Sequence, residues 1–325
     1  MKPDEHKVMT DSQVPRITGL LVIEVRKSNP NGDPERESSP RQRPDAKGEI
    51  SPVSIKRKLR DLMEEKEEIL WNAVRAELTL PDGDQYEILE SRERGWKELK
   101  EKDETKRATE AWERTSQLMN SDFPCFKKRY WDARLFGNTF LEKAKEESGI
   151  QNTIRSGVAH FAVGVSVAPI EIEFSTWTKK APAEAEKTRG MAPMAFRVVK
   201  HGLYTVPFFV NPTQARKTGC SAADVEIMFR LLKYAYPHTR SVIRTQVEII
   251  HAHTVQHKNP LGSFSDFALL DALAPKRVPD ADRDRPSESI ADYSIPTWEE
   301  VKDKRVRADK NVKWNEVGDY TDYAL

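Results

Sequence analysis

Arg41 and Arg43 lie in a loop that reads SNPNGDPERESSPRQRPD from Ser28 to Asp45, and three more cations, Lys56, Arg57 and Arg60, follow in SIKRKLRDLM. Arg155 precedes a strand-like run, and Lys179, Lys180, Arg189, Arg197 and Lys200 gather in a later polar segment. Guanidinium forks and ammonium groups suit phosphate oxygens, and the amides of Asn29 and Asn31 suit sugars or bases. Any one of these side chains is most simply a solvated surface charge. Their clustering at the edges of apolar segments is what points to a polyanion.

Other chemistry is weaker. His251, His253 and His257 alternate in HAHTVQH, and alternation on a strand puts imidazoles on one face at ligand distance. No carboxylate or cysteine lies nearby in sequence to complete a metal site, so a polar strand face is the simpler reading. Asp33 could orient a metal-bound water or form an Asx turn, and a single aspartate without a neighbouring acid favours the turn. The alternating aspartates of DADRDR from Asp280 have Arg285 where a calcium loop needs glycine. No P-loop, G-x-G-x-x-G after a strand, G-x-S-x-G or H-E-x-x-H is present, so the usual handles for nucleotide hydrolysis, dinucleotide binding, acyl transfer and zinc proteolysis are missing. No metal, no cofactor and no catalytic residue is expected.

The chain that must position these groups has 325 residues, 38% hydrophobic and 32% charged, with a formal net charge of +1. It is long enough for one large domain or two ordinary ones. Two cysteines without a C-x-x-C give neither a disulfide framework nor a thiolate metal site. The opening MKPDEHKVMTDSQVP lacks the apolar run of a signal peptide, and stretches such as GLLVIEV are too short to span a bilayer. A cytoplasmic protein without a membrane partner is expected. The near-zero net charge hides segregation: between Arg26 and Arg60 ten basic residues face five acidic ones, whereas Asp61 to Tyr130 is acidic on balance.

Arg16 to Lys27 reads as a buried strand. Ser51 and Pro52 are set to cap and start a helix whose Ile55, Leu59, Leu62 and Met63 form one apolar face, with Lys56 and Arg60 on a flank and Arg57 pointing outward. Residues 64–128 read as a charged, mostly helical insertion with its own small core, anchored by Trp71, Trp96 and Trp112. Ile154 to Phe174 is strand-like, and the polar middle of Ser175 to Lys200 between strand-like ends predicts a protruding hairpin. A helix capped by Ser221, a strand over VEIIHAHTVQH, and a surface tail from Pro275 complete the chain. The order βαβ…βαβ predicts an α+β protein of ferredoxin-like or RRM-like class.

SNPNGDP, a following PR, and GEISPVSIKRKLRDL together resemble the opening of the CRISPR-associated Cas7 backbone family, of the RAMP superfamily, in its type I-B and I-C branch. Further segments agree in order: WDARLFGNTF, IRSGVAHFAVGVSVAPI, AEAEKTRGM, KHGLYTVPFFV and YPHTRSVIRTQVEIIHAHTVQHKNPLG. The resemblance covers roughly Ile17 to Leu273, and departs where the family's Arg-Gly-Pro reads Arg155-Ser156-Gly157. It implies a palm (16–63, 129–174 and 201–274), a fingers insertion (64–128) and a thumb hairpin (175–200), with a tail at 275–325. It also implies a subunit that polymerises along CRISPR RNA as a helical filament and joins other Cascade subunits, leaving the guide free to pair with target DNA. By position, Asn29, Asn31, Arg41, Lys56, Arg57 and Arg60 belong to the guide-binding face, and Arg240 and Arg244 lie near the RNA or the next subunit. Two rival readings are a type III-like subunit that cuts RNA through Asp33, and a stand-alone RNA-binding protein.

Overall fold

The computed structural model describes residues 13–64, 69–81, 83–91, 113, 115–137, 154, 156–180, 191–279, 282, 284–302 and 318–324. In chain order the strands are β1 (Ile17–Ser28), β2 (Gly32–Asp33), β3 (Ser39–Pro40), β4 (Lys47–Ile50), β5 (Ala159–Phe161), β6 (Gly164–Pro169), β7 (Ile172–Lys180), β8 (Met191–Val210), β9 (Val247–His257), β10 (Lys276–Arg277), β11 (Tyr293–Ser294) and β12 (Gly318–Asp322). The helices are α1 (Pro52–Glu64), α2 (Ile69–Glu77), α3 (Phe123–Arg129), α4 (Trp131–Phe136), α5 (Ala215–Thr218), α6 (Ala222–Leu232) and α7 (Asp266–Leu273). One large antiparallel sheet runs β12-β9-β1-β8-β6-β4, with β5 and β7 also paired to β8. Its centre is a β–α–β–β–α–β succession of β1, α1, β6, β8, α6 and β9, with the last strand beside the first. The protein is α+β, as the order of its segments predicts.

β1 is buried along its first nine residues, which is why GLLVIEV is apolar without alternation: both faces of the sheet are covered. On one face Leu21, Ile23 and Val25 join a core with Ile55, Leu59, Leu62 and Met63 of α1 and Val225, Met228, Phe229 and Leu232 of α6. On the other, Leu20 packs with Val255 and with Leu269, Leu270 and Leu273 of α7, while Val22 packs with Ala168, Leu203 and Tyr293. Gly19 stands mid-strand because a Cβ there would lie 2.1 Å from the Phe208 ring.

Helix starts follow the expected chemistry. Pro52 opens α1, and at α6 the Ser221 hydroxyl accepts from the Asp224 amide while the Asp224 carboxylate accepts from the Ser221 amide, a reciprocal capping box. β7 pairs antiparallel with β8 out to Lys180↔Met191, the paired stem of the hairpin that the composition of Ser175 to Lys200 predicts; residues 181–190 lie outside the described residues.

Three expectations change. Trp71 does not anchor a separate core but joins the main one, edge-on to Tyr86 at 5.4 Å; Trp96 and Trp112 lie outside the described residues. The segment after Pro275 is not a surface tail. Tyr293 and Val301 are buried, β12 extends the sheet beside β9, and Tyr323 stacks on Phe229 at 4.7 Å. Its proline and charge content hides short apolar anchors, which is why composition reads it as surface.

Arg60 is the third. It is 4% exposed, and its Nε donates to Asp132 at 2.8 Å while Nη2 lies 3.1 Å from Glu90. Asp132, 1% exposed, also accepts from the amides of Leu89 and Glu90. The neighbouring Arg134 binds Asp224 through two nitrogens and donates to three backbone carbonyls. WDARLF is therefore a hub of buried charge that joins α1, α4 and α6.

Removing Asp132 strands a buried guanidinium and two amides, so Asp132→Ala is expected to destabilise by about 3–5 kcal/mol in denaturant unfolding; a loss under about 1 kcal/mol would contradict the buried pair. Burial also lowers the pKa values of His160, His201 and His257 from 6.5, although Glu24 beside His201 and Asp266 beside His257 act against it. The unfolded chain then binds more protons below pH 6.5, so stability is full above that value and declines on acidification. His201→Asn is expected to reduce the slope of Tm against pH in that window, and an unchanged slope would exclude His201 as a contributor.

Candidate nucleic-acid interface

Three segments far apart in sequence meet where β1 ends. Asn29 donates its amide to the Ile243 carbonyl at 2.7 Å, and Arg244 returns Nε to the Asn29 carbonyl at 3.0 Å. The Gln246 amide donates to Ser28 Oγ at 2.9 Å. The loop after β1 is thus stitched to the loop before β9. Asn31 ties it to α1: its Oδ1 accepts from the Ser51 amide at 2.7 Å, and its carbonyl accepts from the Arg41 amide at 3.0 Å.

Between these segments lies a cleft of about 740 Å³. Arg41, Arg57, Lys58, Arg240 and Arg244 line it together with His238, against the single carboxylate of Asp61. The first turn of α1, from Ser51 to Ser54, also opens onto it, adding the positive end of a helix dipole. Arg240 is exposed and has no acidic partner among the described residues. Arg41 lies 3.9 Å from Asp33, and its buried Nε has no hydrogen-bond partner among the described residues. Such a donor, at the wall of a cationic cleft, is suited to an incoming oxyanion.

The sequence-predicted residues divide into several groups. Asn31, Arg41, Arg57, Arg240 and Arg244 converge on the cleft. Arg57 is largely committed there, donating to Asp61 at 2.7 Å, to Glu64 at 2.8 Å and to the Glu90 carbonyl. Asn29 is 0% exposed and donates Nδ2 to the Ser38 carbonyl, so it scaffolds the loop. Lys56 lies on the other flank of α1, its ammonium 5.4 Å from the centre of the Phe136 ring, where burial and then Arg60 lower its pKa. Arg60 is the buried core residue described above. Arg43 is exposed between Asp45 and Glu49, and Lys200 pairs with Glu171 at 3.3 Å. Arg197 pairs with Glu37 and sits over the Phe174 ring at the hairpin base. Lys179 and Lys180 end β7, and Arg155 and Arg189 lie outside the described residues.

Asp33 forms a turn: its Oδ1 accepts from the Glu35 amide at 3.2 Å and caps the short 3-10 helix Pro34–Arg36. Sequence reading missed Lys58, which is 4% exposed, donates to Thr239 Oγ1 at 3.1 Å and lies over Tyr236. Its signal was present, since Lys58 interrupts the apolar stripe of Ile55 and Leu62. It also missed the carboxylate for the histidines. Asp322, on β12, brings Oδ2 to 2.7 Å from His251 Nδ1 and 3.7 Å from His253 Nδ1.

The fold and the cleft define an α+β protein with one large antiparallel sheet and a groove lined by cations at the end of its central strand. The chain matches the sequence profile of CRISPR-associated protein Cas7 over residues 15–297, and it belongs to that family. Two solved chains are similar in outline. One, from a CRISPR RNA-guided surveillance complex in a pre-nicking state, has 15% identity and a TM-score of 0.47, with 94% of this chain and 95% of that one covered. Another, from a CRISPR RNA-guided surveillance complex, has 14% identity and a TM-score of 0.40, with 92% and 93% covered. No curated protein matches the chain. Among the described residues no helix is long and apolar enough to cross a membrane.

Asn31→Ala removes the link between the loop and the start of α1. It is expected to cost about 1 kcal/mol of stability and to raise amide hydrogen exchange selectively over residues 29–43; unchanged exchange there would show that the side chain does not hold the loop.

Proposed function

We propose that this protein is a non-catalytic backbone subunit that binds CRISPR RNA, oligomerises along it in a type I surveillance complex of the Cascade kind, and presents it for pairing with target DNA. The observation that carries this reading is the cleft, where five cations from three distant segments converge at the end of β1 in a chain of the Cas7 family. A groove of this kind, rich in guanidinium groups, suits backbone phosphates and so grips RNA regardless of its sequence.

Within this reading Arg41, Arg240 and Arg244 hold the phosphates, with Lys58 and the start of α1 contributing field. Arg60 and Asn29 support the site from within the fold. The β7–β8 hairpin is the thumb, the region 64–128 the fingers, and the rest of the sheet with α1 and α6 the palm. Lys179 and Lys180, which end β7, together with Arg155 and Arg189, meet RNA or the neighbouring copy. A head-to-tail contact that does not close gives a helical filament. The absence of catalysis is supported by Asp33, whose carboxylate caps a turn beside Arg41.

Joint replacement of Arg41, Arg240 and Arg244 by alanine is expected to weaken binding of guide RNA at every sequence alike. The slope of log K against log salt should fall by roughly one for each phosphate that is no longer neutralised. An unchanged slope would place the RNA elsewhere. In electron micrographs the wild-type protein with guide RNA is expected to form filaments or assembled complexes, and monomers alone would contradict the backbone role.

A further inference from the structure

The geometry points to a binding site for a divalent transition-metal ion, formed by His251 and His253 of β9 and Asp322 of β12, on the sheet face opposite α1 and α6. The two imidazoles lie parallel with ring centres 4.9 Å apart and planes 12° from each other. Asp322 Oδ2 is 2.7 Å from His251 Nδ1 and 3.7 Å from His253 Nδ1, and one ligand atom from each of the three residues lies within 4.8 Å of the others. Ligands at about 2.1 Å from a zinc ion are separated by roughly 3–3.5 Å, so small side-chain adjustments admit the ion. Two nitrogens and one carboxylate select zinc, cobalt, nickel or ferrous iron over the hard cations magnesium and calcium.

The surroundings prepare the ligands. Asp322 Oδ1 accepts from the amides of Ala252 at 2.8 Å and Ala324 at 3.1 Å, which orients the carboxylate and leaves Oδ2 toward the imidazoles. His253 is 1% exposed, and its Nε2 has no hydrogen-bond partner among the described residues. On metal binding, the contact of 2.8 Å between its Nδ1 and the Tyr320 hydroxyl gives way to the ion. The His251 side chain is 26% exposed, which gives an ion and its remaining water ligands a path to solvent.

An ion here joins two strands whose ligands are 71 residues apart. It would fasten β12, the outermost strand beside β9 among the described residues, which pairs from Gly318↔His257 to Asp322↔His253, and so hold that segment on the sheet. The site is separate from the cationic cleft, and its occupancy does not depend on RNA.

The test is titration of the untagged, chelator-stripped protein with cobalt(II), in a Cys125→Ser background because that thiol is exposed. One equivalent is expected to give a visible ligand-field band, competed by zinc, with a rise in Tm on adding zinc. Loss of outer-sphere partners costs roughly 10–100-fold in affinity, so loss of a direct ligand in His251→Ala or Asp322→Asn is expected to exceed about 100-fold. If Asp322→Asn does not fold, the partly exposed His251 provides the same discrimination. No saturable band in the parent protein, or equal affinity in His251→Ala, would overturn the site.

Discussion

Everything in this protein is arranged around a strand with no outside. β1 pairs with β8 along one edge and β9 along the other, and it is buried above and below by separate helical layers. Such a strand tolerates no register slip, because moving it by one residue would exchange two differently shaped cores. Its fixed position sets where Asn29 and Asn31 emerge, hence where the proline-rich loop turns and where α1 begins. The walls of the cleft hang from this strand, tied to its end by the hydrogen bonds of Asn29, Asn31 and Ser28.

Electrostatics follow the same division between inside and outside. Charges that look alike in sequence have different work. Arg60 and Arg134 neutralise Asp132 and Asp224 in the interior, and such pairs fix how helices meet more than they add stability. Arg57 is held by two carboxylates. What remains for a ligand is a smaller set, in which Arg240 is open and Arg41 is only loosely paired. A net charge of +1 is therefore compatible with a strongly positive groove, because cations such as Arg57, Arg60 and Arg134 are balanced by carboxylates beside them.

Much of this was legible in the sequence. The first strand and the strand over VEIIHAHTVQH, the helix capped by Ser221 and the α+β class follow from periodicity and turn chemistry, which are local, whereas the run from Ile154 to Phe174 divides into β5, β6 and the start of β7. The composition of SNPNGDPERESSPRQRPD announced a built loop, and the structure assigns its asparagines to scaffolding. Helical spacing put Lys56 and Arg60 on one flank of α1 and the family resemblance added both, with Arg57, to the guide-binding face, whereas the packed helix buries Arg60 and leaves Lys56 beside Phe136, away from the cleft. The cause is Asp132, 72 residues downstream of Arg60, a partner that no local pattern reveals. The same limit hid Asp322 from the histidines and the apolar anchors of the C-terminal segment from a reading of its composition.

The proposed function requires RNA to lie in the cleft at the end of β1. Photocrosslinking of guide RNA to the assembled protein, with the attached peptides identified by mass spectrometry, tests this most directly. Crosslinks are expected within residues 29–46 and 237–246, with none on the strands of the opposite sheet face. Crosslinks concentrated on β9, α7 or the segment after Pro275, with those two loops unlabelled, would contradict it.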